Sequence, residues 1–385
     1  MADKQGKDAI KLHEKLRGKI TIESKLRKIK PKDIQLIYTP GVAAVCEKIH
    51  AQPDQKYFLT SKANNVAIVT DGTRILGLGN IGPYAAIPVM EGKAVLYKKY
   101  GKVDAFPICL NTTKKEEIIS AIKAIEPAFG AINLEDIESP KVLEISDELE
   151  KELPIPVFHD DRHGTAVAAL AALFNSLVLV QKKIESVKIV IAGAGSAGYG
   201  ICKLLSFAGC KNLIVVDSSG AIYQNRSANM NYYKNEISNI TNPRLQRGTL
   251  PQVLMDSDVF IGVSGMSGIL SGKMIQDMNK DPIVFALTNP EPEIDPKAAK
   301  KAGAKIVATG SYHYKNKVNN AIVFPYLMRI ILDKKIKKIT PKMLYLTARA
   351  VADSVPRKDL SYDNIVPEIT NPKLQKNISK ALRKL

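Results

Sequence analysis

Val187-Lys188-Ile189-Val190-Ile191-Ala192-Gly193-Ala194-Gly195-Ser196-Ala197-Gly198, continued by a helical pattern to Phe207, decides the fold. A short apolar run reads as a buried strand, and the G-x-G-x-x-G string after it opens a helix. Glycine at Gly193, Gly195 and Gly198, with the small residues Ser196 and Ala197 between them, permits a tight turn and close approach of a pyrophosphate to the helix N-terminal amides. Asp217 follows the next apolar run, Leu213 to Val216, where a carboxylate accepts hydrogen bonds from ribose hydroxyls. A glycine-rich turn could also merely pack helix on strand; strand, helix and acid together favour a dinucleotide. Asp217 would repel a 2′-phosphate, which inclines the reading to NAD over NADP. Arg226 and Lys234 could fold back to the adenosine end, so NADP stays open.

Downstream, Val259 to Val263, Ile283 to Leu287 and Ile306 to Ala308 extend this unit into a doubly wound sheet. Upstream, an Ala- and Leu-rich helix from Thr165 to about Gln181 separates it from a second set of apolar runs. These are Val66 to Val69, Val103 to Ile108, Ala131 to Leu134 and Pro156 to Phe158, and they predict a smaller parallel α/β domain. The expected division is residues 1–164 for that domain and 165–385 for the Rossmann-type domain with C-terminal helices. Up to about Ile37 the pattern is that of exposed helices, and Tyr38-Thr39-Pro40-Gly41 supplies a turn.

Composition bounds the function. The chain has 385 residues, 45% hydrophobic, enough for two cored domains. No signal pattern is evident, and the apolar run Ala166 to Val180 is interrupted by Asn175, so neither secretion nor a membrane span is expected. Four cysteines without C-x-x-C spacing suggest a reducing, cytoplasmic setting. The net charge of +18 raises nucleic acid as a partner, but the lysines are spread and lack interleaved aromatics. A solvated basic surface suited to a dianionic substrate is the better reading.

Polar groups collect where the upstream strands end, which is where open parallel sheets place their ligand crevice. Asp71 follows the first run, Asn111 the second, Glu135 and Asp136 the third, Asp160 and Asp161 the fourth. Hard oxygen donors in that number suit Mg²⁺ or Mn²⁺, although Asp160 could instead cap the following helix. His159 and His163 have the spacing of a zinc-binding helical pair, but the first lies before the helix begins and no glutamate stands between them. The glycine-rich segment Asp71 to Gly82 carries Arg74, whose fork can grip a carboxylate. Lys93 lies in an apolar stretch where desolvation would lower its pKa toward base catalysis. Asn289, in Leu287-Thr288-Asn289-Pro290, and Asn320, in Val318-Asn319-Asn320-Ala321, offer amides for a substrate carboxylate, or simply form turns.

Several of these strings, in this order, resemble the malic enzyme family, in its short bacterial and archaeal form without a fused acyltransferase-like domain. The resemblance runs from about Leu16 to Met328. Its strongest pieces are Tyr38-Thr39-Pro40-Gly41-Val42-Ala43, the glycine loop leading to Lys93, Ile132-Asn133-Leu134-Glu135-Asp136-Ile137, and Phe158-His159-Asp160-Asp161 through Ala166. It implies Lys93 as the base on the substrate hydroxyl, Tyr38 as the acid that protonates the enol, and Asp160 as the support of Lys93. Glu135, Asp136 and Asp161 would hold the metal. Arg74, Asn289 and Asn320 would bind substrate carboxylates, with Asn289 also reaching the dinucleotide held by Gly193, Gly195, Gly198 and Asp217. The implied reaction is oxidation and decarboxylation of malate to pyruvate in a homodimer, with a malolactic-type decarboxylase or a nucleotide-sensing protein on the same fold as alternatives. Two positions depart from the family. Arg162 stands where Gln is usual and is expected to alter metal affinity or add a carboxylate contact. Val263-Ser264-Gly265-Met266-Ser267-Gly268 replaces a Pro-containing loop and leaves the nicotinamide pocket's shape open.

Overall fold

A computed structural model describes residues 2–311 and 313–383. Two sheets organise it. The first contains β1 (Asn65–Thr70), β2 (Asp104–Cys109), β3 (Ala131–Leu134) and β4 (Val157–His159) in the order β2-β1-β3-β4, all parallel. The second contains β5 (Lys188–Ala192), β6 (Asn212–Asp217), β7 (Gly220–Ala221), β8 (Val259–Gly262), β9 (Ile283–Ala286) and β10 (Ile306–Thr309). Their order is β10-β9-β8-β5-β6-β7, parallel except for the short β7, which pairs antiparallel with β6. Nine of these strands coincide with the apolar runs to within a residue or two at each end. Only β7 has too few residues to leave a pattern.

Both sheets are apolar on both faces, as parallel strands covered by helices must be. Val66, Ile68 and Phe158 face one core, and Ala67, Val69, Ile132 and Val157 another. The helix Thr165–Leu179 joins the two halves. Eleven of its residues are buried, including Leu170, Leu173 and Leu177, and each such leucine stabilises by roughly 1.5–3 kcal/mol. The stretch Asp160–Leu179 is long and apolar enough to cross a membrane by composition alone, a property the interrupted apolar run did not suggest, but 72% of its apolar window is packed inside the protein. Asn175 sits within it because its amide donates to the Ala352 and Ile365 carbonyls at 3.0 and 2.9 Å, which meets the cost of burial.

Each sheet reverses its winding at one point, and there the strand ends open a crevice. In the first sheet the reversal lies between β1 and β3; in the second it lies between β5 and β8. The N-terminal segment stands apart from both. None of residues 4–61 is buried, and Ile10, Leu12, Leu16, Ile22, Ile34 and Leu36 are all exposed.

Candidate active site

A single cleft, about 600 Å³, runs between the carboxyl ends of the two sheets. From the first half it is lined by Arg74, Lys93, Glu135, Asp136, Asp161 and Thr165. From the second come Ala197, Val263, Ser264, Leu287, Asn289 and Asn320. Eight of the site residues picked from the sequence therefore line it, and Asp160 joins them through its contact with Lys93.

Lys93 lies at the centre. The helix Gly82–Leu96 delivers it, buried, against two carboxylates: Nζ donates to Glu135 Oε1 at 2.8 Å and makes a short contact to Asp160 Oδ2. The Phe324 ring lies beneath it, 4.1 Å from Nζ to the ring centre. Burial alone would lower the lysine pKa, as expected from the sequence, but the charges of Asp160 and Glu135 overcome it and hold the ammonium above its ordinary value. The expectation of a lowered pKa is thus corrected: apolar neighbours in sequence did not reveal two anions brought from 42 and 67 residues away.

The carboxylates form a cluster with more negative charge than Lys93 can balance. Burial raises Glu135, Asp136 and Asp160, and the mutual repulsion of neighbouring carboxylates adds to it; Asp136 is pushed up to about 7. Asp136 adopts a left-handed backbone, φ 49°, a conformation that aspartate tolerates better than most side chains. Its carbonyl accepts from the Arg74 N–H at 3.1 Å, which ties the glycine loop to this turn. Glu135 is braced from behind: Asn133 Nδ2 donates to its Oε2 at 2.9 Å, and Tyr97 Oη donates to Asn133 Oδ1 at 2.6 Å. Asp160 Oδ1 is buried without a partner. Such a set of hard oxygen donors, desolvated and undercompensated, fits a divalent cation. Among the described residues no three carboxylate, thiolate or imidazole groups stand close enough to form a preassembled cage, so a cation would draw the donors together.

Other candidates resolve differently. Asp160 makes no helix-capping bond. His159 and His163 are both buried; burial, then the charge of Arg162, pushes their pKa values down, and His163 Nδ1 accepts from the His159 backbone N–H at 3.2 Å. They pack as neutral rings. Asp71 is structural too, held by the Thr73 N–H and hydroxyl and by Lys141 at 2.7 Å. Arg162 turns away from the cleft. Its Nη1 donates to Asp147 at 2.8 Å and its guanidinium lies 5.1 Å from the Tyr199 ring centre, so the expected effect on the metal ligands does not arise by direct contact.

Tyr38 lies at the turn the sequence predicted, but away from the cleft that its implied role requires. It closes the helix Pro31–Ile37, is 70% exposed, and does not line the cleft.

At the other end of the cleft, Gly193 has φ 119°, and a β-carbon there would lie 2.6 Å from the Val263 carbonyl oxygen, across the point where the winding reverses. A β-carbon on Gly198 would collide with the Gly193 carbonyl. Ser196 Oγ, in the first turn of the helix Ser196–Phe207, is buried and unpartnered. Glycine backbone, helix N-terminus and orphan hydroxyl together fit a pyrophosphate. The departing loop Val263–Gly268 is anchored by buried Glu293, which accepts from Thr288 N–H at 3.1 Å and Ser264 N–H at 3.4 Å. Asp217 ends β6 but is already engaged. Burial would raise its pKa, yet hydrogen bonds from Arg226, Lys234 and the Ser219 N–H hold it below the usual range.

Sequence reasoning missed Phe324, Tyr97 and the bracing role of Asn133. Tyr97 follows Lys93 by one helical turn, a spacing that places both on one face; for Phe324 no local signal existed.

The comparisons with known proteins agree with this geometry. Residues 17–119 match the malic enzyme N-terminal domain, and residues 163–383 match the malic enzyme NAD-binding domain. The chain is 46% identical over 377 residues to the bifunctional malic/malolactic enzyme of Bacillus subtilis, covering 98% of this chain and 92% of that one. It is 48% identical over 365 residues to the NAD-dependent malic enzyme of Geobacillus stearothermophilus, covering 95% and 76%. Its fold superposes on the NAD-dependent malic enzyme of Thermotoga maritima with a TM-score of 0.93 at 46% identity, covering 97% of this chain and 98% of the other. With both domain families matched in order and the cleft built where they meet, the chain belongs to the malic enzyme family.

Proposed function

We propose that this chain oxidises L-malate and decarboxylates it to pyruvate and CO₂, reducing NAD(P) in a reaction that depends on a divalent metal. The observation that carries the reading is Lys93 buried between Asp160 and Glu135 at the floor of a cleft walled by carboxylates on one side and a dinucleotide loop on the other. Similar proteins include both NAD-dependent and NADP-dependent malic enzymes.

Arg74, Asn289 and Asn320 offer a guanidinium and two amides to the two carboxylates of the substrate. Lys93, once neutral, takes the C2 hydroxyl proton, and Asp160, in direct contact, is the group that accepts and returns the lysine's own proton. When bound, a nicotinamide would supply the hydride acceptor, and Glu135, Asp136 and Asp161 would hold a divalent cation that supplies Lewis acidity. Phe324 and the apolar residues Val263 and Leu287 exclude water from the reacting carbons.

Protonation of the enol at C3 falls to Tyr38, and here the arm matters. None of residues 4–61 is buried in its own chain, yet the segment carries an exposed apolar row, which is what an intersubunit contact requires. The reading is therefore a homodimer whose N-terminal arms contribute to the interface and bring each Tyr38 to the cleft of the other copy.

The test is reduced-nicotinamide absorbance with L-malate and NAD or NADP, each with Mn²⁺ and with EDTA, alongside assays for pyruvate and lactate. Metal-dependent reduction with matching pyruvate is expected. Lactate without net reduction would replace the reading by the malolactic one, which the naming of the Bacillus subtilis relative keeps in view.

A further inference from the structure

The carboxylate after the second strand of a dinucleotide fold accepts the adenosine ribose hydroxyls, and when free it repels a 2′-phosphate. Asp217 stands at that position and is not free. Arg226 grips it with both nitrogens of its fork, Nη1 to Oδ1 at 2.9 Å and Nη2 to Oδ2 at 2.5 Å. Lys234 Nζ lies 2.8 Å from Oδ2, and the Ser219 N–H donates to Oδ1 at 2.8 Å. Two cations around one anion leave the group with a net charge of +1.

The two cations are not equivalent. The Arg226 side chain is 4% exposed and is fixed from behind by the carbonyls of Gly220, Ala221 and Asn229. Lys234 sits in the first turn of the helix Tyr232–Ile240, with its side chain at the rim, 12% exposed, and its Nζ shared between Asp217 and the Asn229 carbonyl at 2.8 Å. A lysine is a flexible point charge, so Lys234 can turn to a new anion while Arg226 keeps Asp217 neutralised. Around them Ser218, Ser219 and Asn229 expose uncharged polar side chains that suit either a hydroxyl or a phosphate.

We propose that Asp217, Arg226 and Lys234 form a charge-compensated adenosine-ribose site that admits a 2′-phosphate, so that the chain takes NADP as well as NAD, with Lys234 setting the ratio. This rests on the dinucleotide site described above. The arrangement reverses what the position of Asp217 in the sequence suggested, because the charge next to the ribose is that of the whole group and not of the acid alone.

The experiment is calorimetric titration of the full chain with ADP and with 2′,5′-ADP, which separates recognition of the ribose substituent from turnover. Wild type is expected to bind 2′,5′-ADP within about tenfold of ADP. Lys234→Gln is expected to shift the ratio about tenfold against 2′,5′-ADP, the usual consequence of losing one charge-assisted hydrogen bond, and Lys234→Glu to shift it further. Asp217→Asn should shift it the other way. The NADP-to-NAD ratio of kcat/KM should follow the same order. Binding of ADP with 2′,5′-ADP more than about a hundredfold weaker in wild type, or a ratio unmoved by both Lys234 substitutions, overturns the proposal and leaves the dinucleotide site standing. Failure to bind either nucleotide would overturn that site and the proposal with it.

Discussion

Lys93 and Tyr38 are paired by family resemblance as base and acid, yet the fold treats them in opposite ways. Lys93 is 7% exposed, held by two carboxylates and an aromatic ring; Tyr38 is 70% exposed on an arm that buries none of residues 4–61. One group is placed by packing within the chain. The other is left on a surface whose apolar residues still need covering. Two residues that one family resemblance pairs can thus differ this far in burial, and on the proposed reading the exposed one depends on a second copy of the chain to reach a cleft.

The sharpest way to break this comparison is at its fixed end. Lys93→Ala should lower the rate of malate oxidation by about 10²–10⁴, measured as single-turnover reduction of the nicotinamide, with dinucleotide binding retained. A loss smaller than tenfold would remove Lys93 as the base.

At the other end, Tyr38→Phe should impair overall turnover and ketonisation of enolpyruvate more than the hydride step, by about 10² or more. Mixed dimers decide where Tyr38 acts. Co-expressing differently tagged Tyr38→Phe and Lys93→Ala chains and purifying the heterodimer should restore about half of wild-type activity, because one cleft then combines an intact Lys93 with the partner's intact tyrosine. If the mixed dimer is as inactive as the single variants, Tyr38 serves its own chain.

The smallest effect is expected at Arg162. Its pair with Asp147 is partly exposed, 16% and 30%, and such pairs contribute about 1 kcal/mol or less. Arg162→Gln, which introduces the residue usual in the family, should lower the unfolding midpoint by only a few degrees and leave Mn²⁺ affinity and turnover near wild type. A tenfold change in Mn²⁺ affinity would show that Arg162 reaches the carboxylate cluster after all.

Much of the molecule was legible before any coordinates. Nine strands follow from short apolar runs, and the helix Ser196–Phe207 from the glycine string before it. Glu135, Asp136 and Asp161 converge as their positions after strands implied, whereas Arg74, Asn289 and Asn320, which also line the cleft, were singled out by the family resemblance. These are consequences of local periodicity and of the rule that parallel sheets open at their carboxyl ends, both of which a sequence displays directly.

Charge state and side-chain direction were not legible, because they depend on groups remote in the chain. The Lys93 pKa is held up by residues 42 and 67 positions away, Arg162 is drawn aside by an acid 15 positions back, and the Tyr38 side chain stays exposed. Asp217 is only 9 and 17 residues from Arg226 and Lys234, but only the folded loop shows both cations on one carboxylate. The sequence alone determined where the backbone would turn and which chemistry would gather at the turns. The tertiary structure decided which charges neutralise one another, since Coulomb energy and desolvation depend on distance and burial, and neither quantity is written in residue order.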